Sequence, residues 1–225
     1  IIFMNNKHCF KNVLIFGATG MVGSLVAQEI SKFKVNLILQ GKTKKKLETL
    51  HDLIVKKKNN VSLLELDLLK KQYINNLYST ILQRFERIDF FINAVGFIEK
   101  ICPLTDLKNE EWDQLIEINL SSSWRLLKEL EPLLKQSKNP KIIFFSNKDA
   151  VNGSPYYNAY AVSKSALKTM INLYNKEKNK FKYEVKMIYL PKSSSGVYRK
   201  IYSKNQISPK AINIIKENIK SLFKD

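Results

Sequence analysis

The chain has 225 residues, of which 44% are hydrophobic and 26% charged, and its formal net charge is +18. This composition excludes a disordered or fibrous protein and suits one globular domain with a buried core. No apolar run approaches the roughly 20 residues that span a bilayer, and residues 1–10 lack the order of a secretory signal, so we expect a cytoplasmic protein with no membrane span.

The strong positive charge raises the question of an anionic partner, because phosphate groups attract basic surfaces. The lysines occur in short, scattered runs at 42–46, 56–58 and 175–182, without interleaved aromatic residues or helix-turn-helix spacing. A solvated surface explains such runs, and we expect no specific nucleic-acid partner. A basic binder of nucleic acid or membrane surfaces stays as an alternative. Cys9 and Cys102 have no metal-ligand spacing, so no metal site is predicted.

Apolar runs alternate with amphipathic stretches along the chain, which indicates strands alternating with helices. Strands are predicted at 12–17, 35–41, 61–67, 88–96, 141–146 and 184–190. Helices are predicted at 21–33, 44–57, 70–85, 110–136, 160–177 and 208–223. The pattern predicts the α/β class, with a doubly wound parallel sheet of six strands and helices on both faces. We expect one domain over residues 1–225, with an N-terminal extension at 1–11 and a substrate-side loop and C-terminal helix at 192–225.

A glycine-rich stretch, FGATGMVGS at 16–24, lies between the first strand and the first helix. Gly17 permits a tight turn, and Gly20 and Gly23 let the backbone approach a pyrophosphate at the positive end of the helix dipole. The loop residues expected at a nucleotide cofactor are Gly17, Thr19, Gly20, Met21, Val22 and Gly23. This placement indicates a Rossmann-type site beyond the carboxyl ends of the strands.

The end of the second strand bears on the choice of cofactor. A carboxylate there would bind the ribose 2′-hydroxyl of NAD and repel a 2′-phosphate, whereas Gly41 followed by Lys42 suits a phosphate. We therefore expect NADP(H) rather than NAD(H). A solvated Lys42 remains the alternative, because this residue belongs to a lysine run.

The stretch YAVSK at 160–164 carries a tyrosine and a lysine four positions apart. On a helix this spacing puts Tyr160 and Lys164 on one face, so both reach one cleft. A free tyrosine has a pKa of about 10, and a nearby ammonium favours its phenolate. The pair can move a proton onto or off an alcohol. The alternative is a packing tyrosine, since Tyr156 and Tyr157 come just before it.

These motifs, in this order, resemble the short-chain dehydrogenases/reductases from about residue 12 to residue 191. The stretches that carry the resemblance are GATGMVG at 17–23, LELDLL at 64–69, INAVG at 92–96, PLTDLKNEEWDQLIEINLSSS at 103–123 and YAVSK at 160–164. The resemblance implies an NAD(P)H-dependent oxidoreductase that transfers a hydride between nicotinamide and a small-molecule carbonyl or alcohol. It also implies a possible homo-oligomer through the long helices.

The resemblance also assigns roles to residues at the cofactor. Asp67 would cap the adenine edge and Leu68 would offer backbone contacts. The turn at 92–96 would contribute Asn93, Ala94 and Gly96, with Ala94 in place of a second asparagine.

Within the same resemblance, Tyr160 is the acid/base and Lys164 orients the ribose and tunes the tyrosine. Asn119 holds a water that relays protons, and Pro191 follows the sixth strand at the nicotinamide.

The resemblance departs from the family where a serine polarises the substrate carbonyl, because Asn147 stands at that position. Ser146 is one residue earlier, and alternation along a strand points its side chain to the other face unless the strand bulges. The Asn147 amide can donate to a developing alkoxide, so it is the better candidate.

Beyond the sixth strand, Lys192 stands where the family has glycine and Gly196 where it has the threonine that holds the carboxamide, a role open to Ser194 or Ser195. The family's seventh strand does not follow the last predicted helix, so either the sheet stops at six strands or the C-terminus is missing. The departures at Asn147, Lys192 and Gly196 support an alternative hypothesis, an NAD(P)-binding sensor or scaffold of the same fold with weak or no catalytic activity.

Overall fold

The computed structural model describes residues 10–55, 60–191 and 207–224. Six parallel strands in these ranges form one sheet in the order β3-β2-β1-β4-β5-β6. They are β1 (Lys11–Phe16), β2 (Val35–Gly41), β3 (Asn60–Glu65), β4 (Phe90–Asn93), β5 (Lys141–Asn147) and β6 (Glu184–Leu190). The predicted doubly wound sheet is confirmed, and the bounds of β2 and β6 are those expected from the sequence.

Helices cover both faces of this sheet. Those in the described ranges are α1 (Met21–Ile30), α2 (Lys44–Val55), α3 (Lys71–Asn75), α4 (Leu77–Leu82), α5 (Asn109–Ile116), α6 (Ser122–Lys135), α7 (Lys148–Val151), α8 (Asn158–Lys178) and α9 (Pro209–Leu222). A π-helical turn, Glu117–Ser121, joins α5 to α6, and 3₁₀ turns lie at Leu104–Asp106 and Asn179–Phe181.

Two helical predictions need correction. The single helix expected at 70–85 is two helices, because Asn76 leaves the helical region with φ −98° and ψ 5°. The break lets Ile74, Leu77 and Ile81 all bury their side chains. The helix expected at 110–136 is interrupted by the π turn, and α7 was not predicted at all.

Side-chain alternation divides the core into two layers. In β1, Val13 and Ile15 pack with α1, α2 and α9, while Leu14 and Phe16 pack with α3, α4, α6 and α8. Each fully buried side chain of this size contributes about 1.5–3 kcal/mol. A parallel sheet buried on both faces requires such continuous apolar strands, which is why the sequence revealed them.

The C-terminal helix α9 closes one face of the sheet. Ser208 caps it by accepting from the Ala211 N–H at 3.3 Å, and Pro209 is its first residue, as expected. Phe223 stacks on Phe33 at 4.0 Å between ring centroids and meets Phe90 edge-on at 5.2 Å. These contacts hold α9 against α1.

The strand order reverses between β1 and β4, so the loops after these strands diverge and leave a crevice at the carboxyl edge of the sheet. No helix in the described ranges is long and apolar enough to cross a membrane. The predicted N-terminal extension at 1–11 needs correction, because Lys11 is already the first residue of β1. Residues 1–9 of that extension, and Lys192, Ser194, Ser195 and Gly196, lie outside the described residues.

Candidate active site

The turn after β1 can be built only from glycine at two of its positions. Gly17 has φ +71°, and a Cβ there would lie 3.1 Å from the backbone of Ala94. A Cβ on Gly23 would lie 2.1 Å from the Gly17 carbonyl oxygen, closer than any real contact. The turn therefore packs backbone on backbone and presents the N-terminus of α1, whose first turn carries no acidic residue, to the crevice.

Gln40 supports this turn and was missed by the sequence analysis. Its Oε1 accepts from the Gly17 N–H at 3.0 Å, and its Nε2 donates to the Leu66 carbonyl at 2.6 Å. The side chain is buried, so one amide ties the turn to β2 and to the end of β3. The sequence did carry a signal for this role, because Gln40 is a polar residue near the end of a mostly apolar strand.

The crevice holds two cavities. The outer cavity has a volume of about 280 Å³ and lies over β1, β2 and β3. It is lined by Gly17, Thr19, Gly20, Gln40, Gly41, Lys42, Leu66, Asp67, Leu68, Ala94, Val95, Gly96, Phe97, Gln114 and Ile118. Most of the residues predicted at the adenosine half of a cofactor therefore share one cavity.

An ion pair stands at the rim of the outer cavity. The Lys42 ammonium lies 2.8 Å from the Asp67 carboxylate, with 69% of the Lys42 side chain exposed. Burial acts to raise the pKa of Asp67, but hydrogen bonds from Lys42 and the Leu69 N–H outweigh it and hold the pKa below its usual value. Such an exposed pair contributes only about 0–1 kcal/mol, so another anion can compete for Lys42.

The inner cavity, of about 100 Å³, lies beyond β4, β5 and β6. It is lined by Gly20, Met21, Val22, Ala94, Val95, Gly96, Phe145, Ser146, Asn147, Tyr160, Lys164, Leu190 and Pro191. The structure thus brings together the predicted tyrosine and lysine, both candidate polarising residues and the residues predicted at the nicotinamide half of a cofactor.

Tyr160 and Lys164 are both buried at this cavity, 3% and 1% exposed. The Lys164 Nζ donates to the Val95 carbonyl at 3.0 Å and lies 5.8 Å from the Tyr160 ring centroid. A Cβ built on Gly96 would lie 4.0 Å from both the Lys164 Nζ and the Tyr160 hydroxyl, so glycine keeps this space open. Burial lowers the pKa of Lys164 to about 8. Burial, and then the neighbouring Tyr157, raise the pKa of Tyr160 above its usual value.

Asn119 lies behind the cavity, inside the π turn, and clamps the loop after β4. Its Oδ1 accepts from the Phe97 N–H at 2.8 Å, and its Nδ2 donates to the carbonyls of Phe97 at 2.8 Å and Leu115 at 3.0 Å. Asn93 holds the start of the same loop through the Val95 N–H and Ser123. Asn93 and Asn119, like Gly23, support the cavity walls rather than lining them.

Asn147 and Ser146 differ in how their polar atoms are used. The Asn147 Oδ1 caps α7 by accepting from the Ala150 N–H at 2.7 Å, while its Nδ2 donates to none of the described residues. The Ser146 Oγ is buried and has no hydrogen-bond partner among them. The alternation of side chains along β5 predicted that Asn147 and Ser146 point to opposite faces of the sheet. Both residues nevertheless line the inner cavity. The register of β5 with β6 is continuous, so no bulge accounts for this. The cavity lies at the strand ends, where both faces open.

Asn158, the first residue of α8, was also missed. It is buried, has φ +43°, and its Oδ1 accepts from the Tyr160 N–H at 3.3 Å. No cluster of three or more His, Cys, Asp or Glu side chains suited to a metal ion occurs in the described ranges.

A family model described as short chain dehydrogenase matches residues 11–206. Two similar curated proteins are D-beta-hydroxybutyrate dehydrogenase of Rhizobium meliloti (strain 1021), 27% identical over 161 residues, and 3-oxoacyl-[acyl-carrier-protein] reductase of Rickettsia bellii (strain RML369-C), 28% identical over 158 residues. Each match covers 70% of this chain and 61% or 62% of the relative. The chain thus spans about three fifths of the length of these relatives.

Two solved structures share the fold. A putative short chain dehydrogenase from Escherichia coli CFT073, complexed with NADPH, has a TM-score of 0.86 and 20% identity over 94% of this chain and 90% of that one. One from Shigella flexneri 2a, complexed with NADP, has a TM-score of 0.81 and 22% identity over 87% of this chain and 83% of that one. The family match covers most of the sequence, including the glycine turn and the tyrosine–lysine helix, and the chain belongs to the short-chain dehydrogenase family of oxidoreductases.

Proposed function

We propose that this chain is an NADP(H)-dependent reductase of small-molecule carbonyl compounds. The observation that carries the proposal is the burial of Tyr160 and Lys164 side by side, facing Gly96 across a cavity at the carboxyl edge of the sheet. A buried tyrosine–lysine pair at the point where strand order reverses suits proton transfer to a ligand bound there.

The residues present fit a dinucleotide. The glycine turn offers backbone N–H groups to a pyrophosphate, the outer cavity suits adenosine, and the unpartnered Ser146 Oγ leaves a polar atom for a ligand at the other end. A bound nicotinamide cofactor would supply the hydride. NADP(H) is favoured over NAD(H) because Lys42 follows Gly41 at the end of β2, and similar structures carry NADP and NADPH.

Tyr160 would act as the proton donor. Burial keeps its pKa raised, so the phenol stays protonated at neutral pH. The expectation that the neighbouring ammonium favours the phenolate is not met in the described structure, because burial raises the pKa of Tyr160. A protonated Tyr160 suits reduction: its hydroxyl proton passes to the oxygen of the carbonyl as that oxygen gains charge. Lys164 would orient the ribose, from its position at the Val95 carbonyl.

Asn147 would polarise the carbonyl. Its Oδ1 is engaged with Ala150, which fixes the amide plane, and its Nδ2 has no acceptor among the residues that the structure describes. A fixed donor is effective because it needs no reorganisation as charge develops. At Asn119 both N–H donors are engaged, so the proposed relay water would bind to the main chain of the π turn, a kind of turn frequent at functional sites.

The two curated relatives suggest which substrates to try first. One is named for a beta-hydroxybutyrate and the other for a 3-oxoacyl group, so both names place the reacting oxygen at the third carbon. We propose 3-oxoacyl and 3-hydroxyacyl compounds as the first members of a panel that also includes simple ketones, aldehydes and quinones.

The experiment follows NADPH oxidation by the starting protein and by Tyr160→Phe against this panel. Loss of the phenolic hydroxyl should lower kcat by roughly a hundredfold to ten-thousandfold, the usual contribution of a positioned acid. NADPH affinity should be kept. Tyr156→Phe is the control, because that tyrosine precedes the same helix but is 61% exposed. NADPH binding without turnover of any panel member, or near-normal kcat in Tyr160→Phe, would reject the proposal.

The prediction of a homo-oligomer through the long helices also stays a proposal. Trp124 on α6 and Val162 and Leu173 on α8 are large apolar side chains exposed to solvent, which suits a contact between copies. Light scattering on the purified protein measures the oligomeric state directly.

A further inference from the structure

The turn that leads into the catalytic helix α8 has an unusual backbone. Tyr156 has φ +67° and Asn158 has φ +43°, so two non-glycine residues out of three adopt the left-handed region. A bulky side chain with positive φ is an outlier that persists only when surrounding contacts impose it. Tyr160 follows directly, so the contacts that impose this turn also set the start of α8.

Those contacts converge on the Asn158 side chain. Its Nδ2 donates to the Lys100 carbonyl at 3.0 Å and lies 3.5 Å from the Tyr156 carbonyl and 3.6 Å from the Cys102 sulfur. Its Oδ1 accepts from the Tyr160 N–H. The backbone adds a further bond, from the Cys102 N–H to the Tyr156 carbonyl at 3.2 Å. The Asn158 amide therefore joins the first turn of α8 to the loop after β4, with one backbone bond beside it.

That loop is the wall of the inner cavity opposite Tyr160. Besides Asn158, two side chains already assigned to the site hold it: Lys164 at the Val95 carbonyl and Asn119 at Phe97. Gly96, which faces the Tyr160 hydroxyl, lies between these two attachments. Asn158 supplies a further side-chain attachment, at the Lys100 carbonyl, which ties this end of the loop to the turn before Tyr160.

An apolar cluster depends on the same link. Ile98 from the loop, Leu115 from α5, Ala150 from α7 and Tyr157 from the turn pack with Tyr160 and exclude water from its ring. If the loop separated from the turn, this cluster would open on the side of Tyr160.

We propose that Asn158 is a positioning residue, which fixes the Tyr160 hydroxyl against Gly96 and keeps it dry by tying the first turn of α8 to the loop at 95–102. The inference rests on the proposed role of Tyr160 as the acid. The role of Tyr160 then depends on Asn158, two residues earlier, whose backbone lies in the left-handed region. The Asn158 side chain bonds to both the loop and the helix.

The expected effect on Tyr160 has a definite sign. Its titratable neighbours in the described structure are Tyr157 from the turn and Lys164 from α8, and the other polar residues of the cavity, Ser146 and Asn147, are uncharged. Burial is the largest cause of its raised pKa. Admission of water would therefore lower the pKa of Tyr160 towards its ordinary value.

The test uses Asn158→Gly, because glycine accepts the positive φ at no steric cost and only the side-chain bonds are lost. Asn158→Asp keeps the acceptor for the Tyr160 N–H but removes the donor to Lys100. Lys182→Gly is the control, since Lys182 also has positive φ, +58°, but follows the far end of α8. Each variant is measured for kcat, for NADPH affinity and for the pH titration of Tyr160. The titration is observed by NMR of tyrosine labelled at the ring carbon that bears the hydroxyl, and the Tyr160 signal is identified by its loss in Tyr160→Phe.

Asn158→Gly should lower kcat on the order of tenfold to a hundredfold, the usual effect of a small misplacement of a catalytic group. NADPH affinity should be kept, and Tyr160 should titrate at lower pH than in the starting protein. Asn158→Asp should also lower kcat, but its new carboxylate disfavours the phenolate and opposes the shift of the titration. Unchanged kcat and an unchanged Tyr160 titration would overturn the inference. Equal losses in Lys182→Gly would also overturn it, as a general effect on α8. If the starting protein turns over no substrate, the proposed function fails, and the titration alone decides: a shift to lower pH in Asn158→Gly and not in Lys182→Gly supports the positioning role, and no such shift rejects it.

Discussion

The outer and inner cavities lie in one crevice, but main-chain atoms shape the outer cavity and side chains shape the inner one. The outer cavity is shaped by backbone, with glycines at positions where any side chain would collide, and its one prominent charge pair is exposed. The inner cavity is shaped by buried side chains, with a lysine and a tyrosine almost completely removed from water. The outer cavity therefore has a shape fixed by the main chain. The inner cavity contains functional side chains whose pKa values are shifted by burial.

This difference implies a division of labour that experiments can separate. Changes at the outer cavity should alter cofactor affinity and leave the chemical step alone, because the residues there would contact, in the proposed binding mode, only atoms of the cofactor that do not react. Changes at the inner cavity should alter kcat and leave cofactor affinity nearly unchanged, because those groups interact most strongly when charge develops on the substrate oxygen. A variant that violated this separation would show that the two cavities function as one.

After Tyr160→Phe, the largest effect is expected at Asn147. Asn147→Ala removes the donor to the carbonyl oxygen and should lower kcat by roughly a hundredfold to a thousandfold, as loss of one fixed donor does elsewhere. NADPH affinity should change little. Asn147→Ser should keep or raise activity, because its hydroxyl can donate to the carbonyl and accept from Ala150. Steady-state kinetics on the substrate found in the panel measure both.

Asn147→Ala also removes the cap of α7, which costs about 1 kcal/mol of stability. Asn147→Asp separates the two roles, since it keeps the acceptor for Ala150 and loses the N–H donor. If kcat survived Asn147→Ala, the polarising role would pass to Ser146, which lines the same cavity and whose buried Oγ has no hydrogen-bond partner among the described residues, and Ser146→Ala would then lower kcat instead.

The same contrast explains what the sequence could predict. The outer cavity could be predicted because its constraints are local. Its glycines are three residues apart or adjacent to a strand, and the buried strands β1 and β5 are apolar runs with polar residues at one or both ends. Local constraints leave a local pattern. The sheet and the glycine turn therefore followed from the chain alone.

The inner cavity could be predicted only in part, because the contacts that form it join residues far apart in the sequence. Tyr160 and Lys164 were found through their helical spacing and the family resemblance. Asn158 was not, since its partner Lys100 lies 58 positions earlier in the sequence. The free donor of Asn147 also depends on α7, a single short helix that no periodic pattern could reveal.

A second prediction concerns the burial of Lys164. Its pKa is about 8 in the folded chain against 10.5 when exposed, so between pH 8 and pH 10 the unfolded chain binds more protons and stability should rise with pH. Over this interval the gain is roughly 2–3 kcal/mol for the cofactor-free protein. Above pH 10 the raised pKa of Tyr160 acts in the opposite direction, because the unfolded chain then loses that proton first. Urea unfolding at pH 8, 9 and 10 measures the slope.

Lys164→Met is the matched variant, since it keeps the length and apolar stem of the side chain and cannot titrate. It also loses the bond to Val95, so the comparison concerns the slope with pH and not the absolute stability. The starting protein should gain stability relative to Lys164→Met as pH rises. Parallel pH profiles for the two proteins would show that water reaches Lys164 and that the inner cavity is less dry than its geometry indicates.

The smallest effect is expected at Lys42, on the outer cavity. Lys42→Ala should weaken NADPH binding by about 1–3 kcal/mol through loss of a charge-assisted bond to the 2′-phosphate, and should leave NADH binding and kcat nearly unchanged. Part of the loss would come from Asp67, whose carboxylate is left without its partner and would repel the phosphate. Adding Asp67→Asn to Lys42→Ala should therefore restore part of the affinity.

Lys45→Ala, in the same lysine run, controls for the general positive field and should have a smaller effect that vanishes in high salt. Titration of each protein with both cofactors gives the measurement. Equal losses for NADPH and NADH, or tighter NADH binding by the starting protein, would remove Lys42 from cofactor selection and leave it as a solvated lysine paired with Asp67.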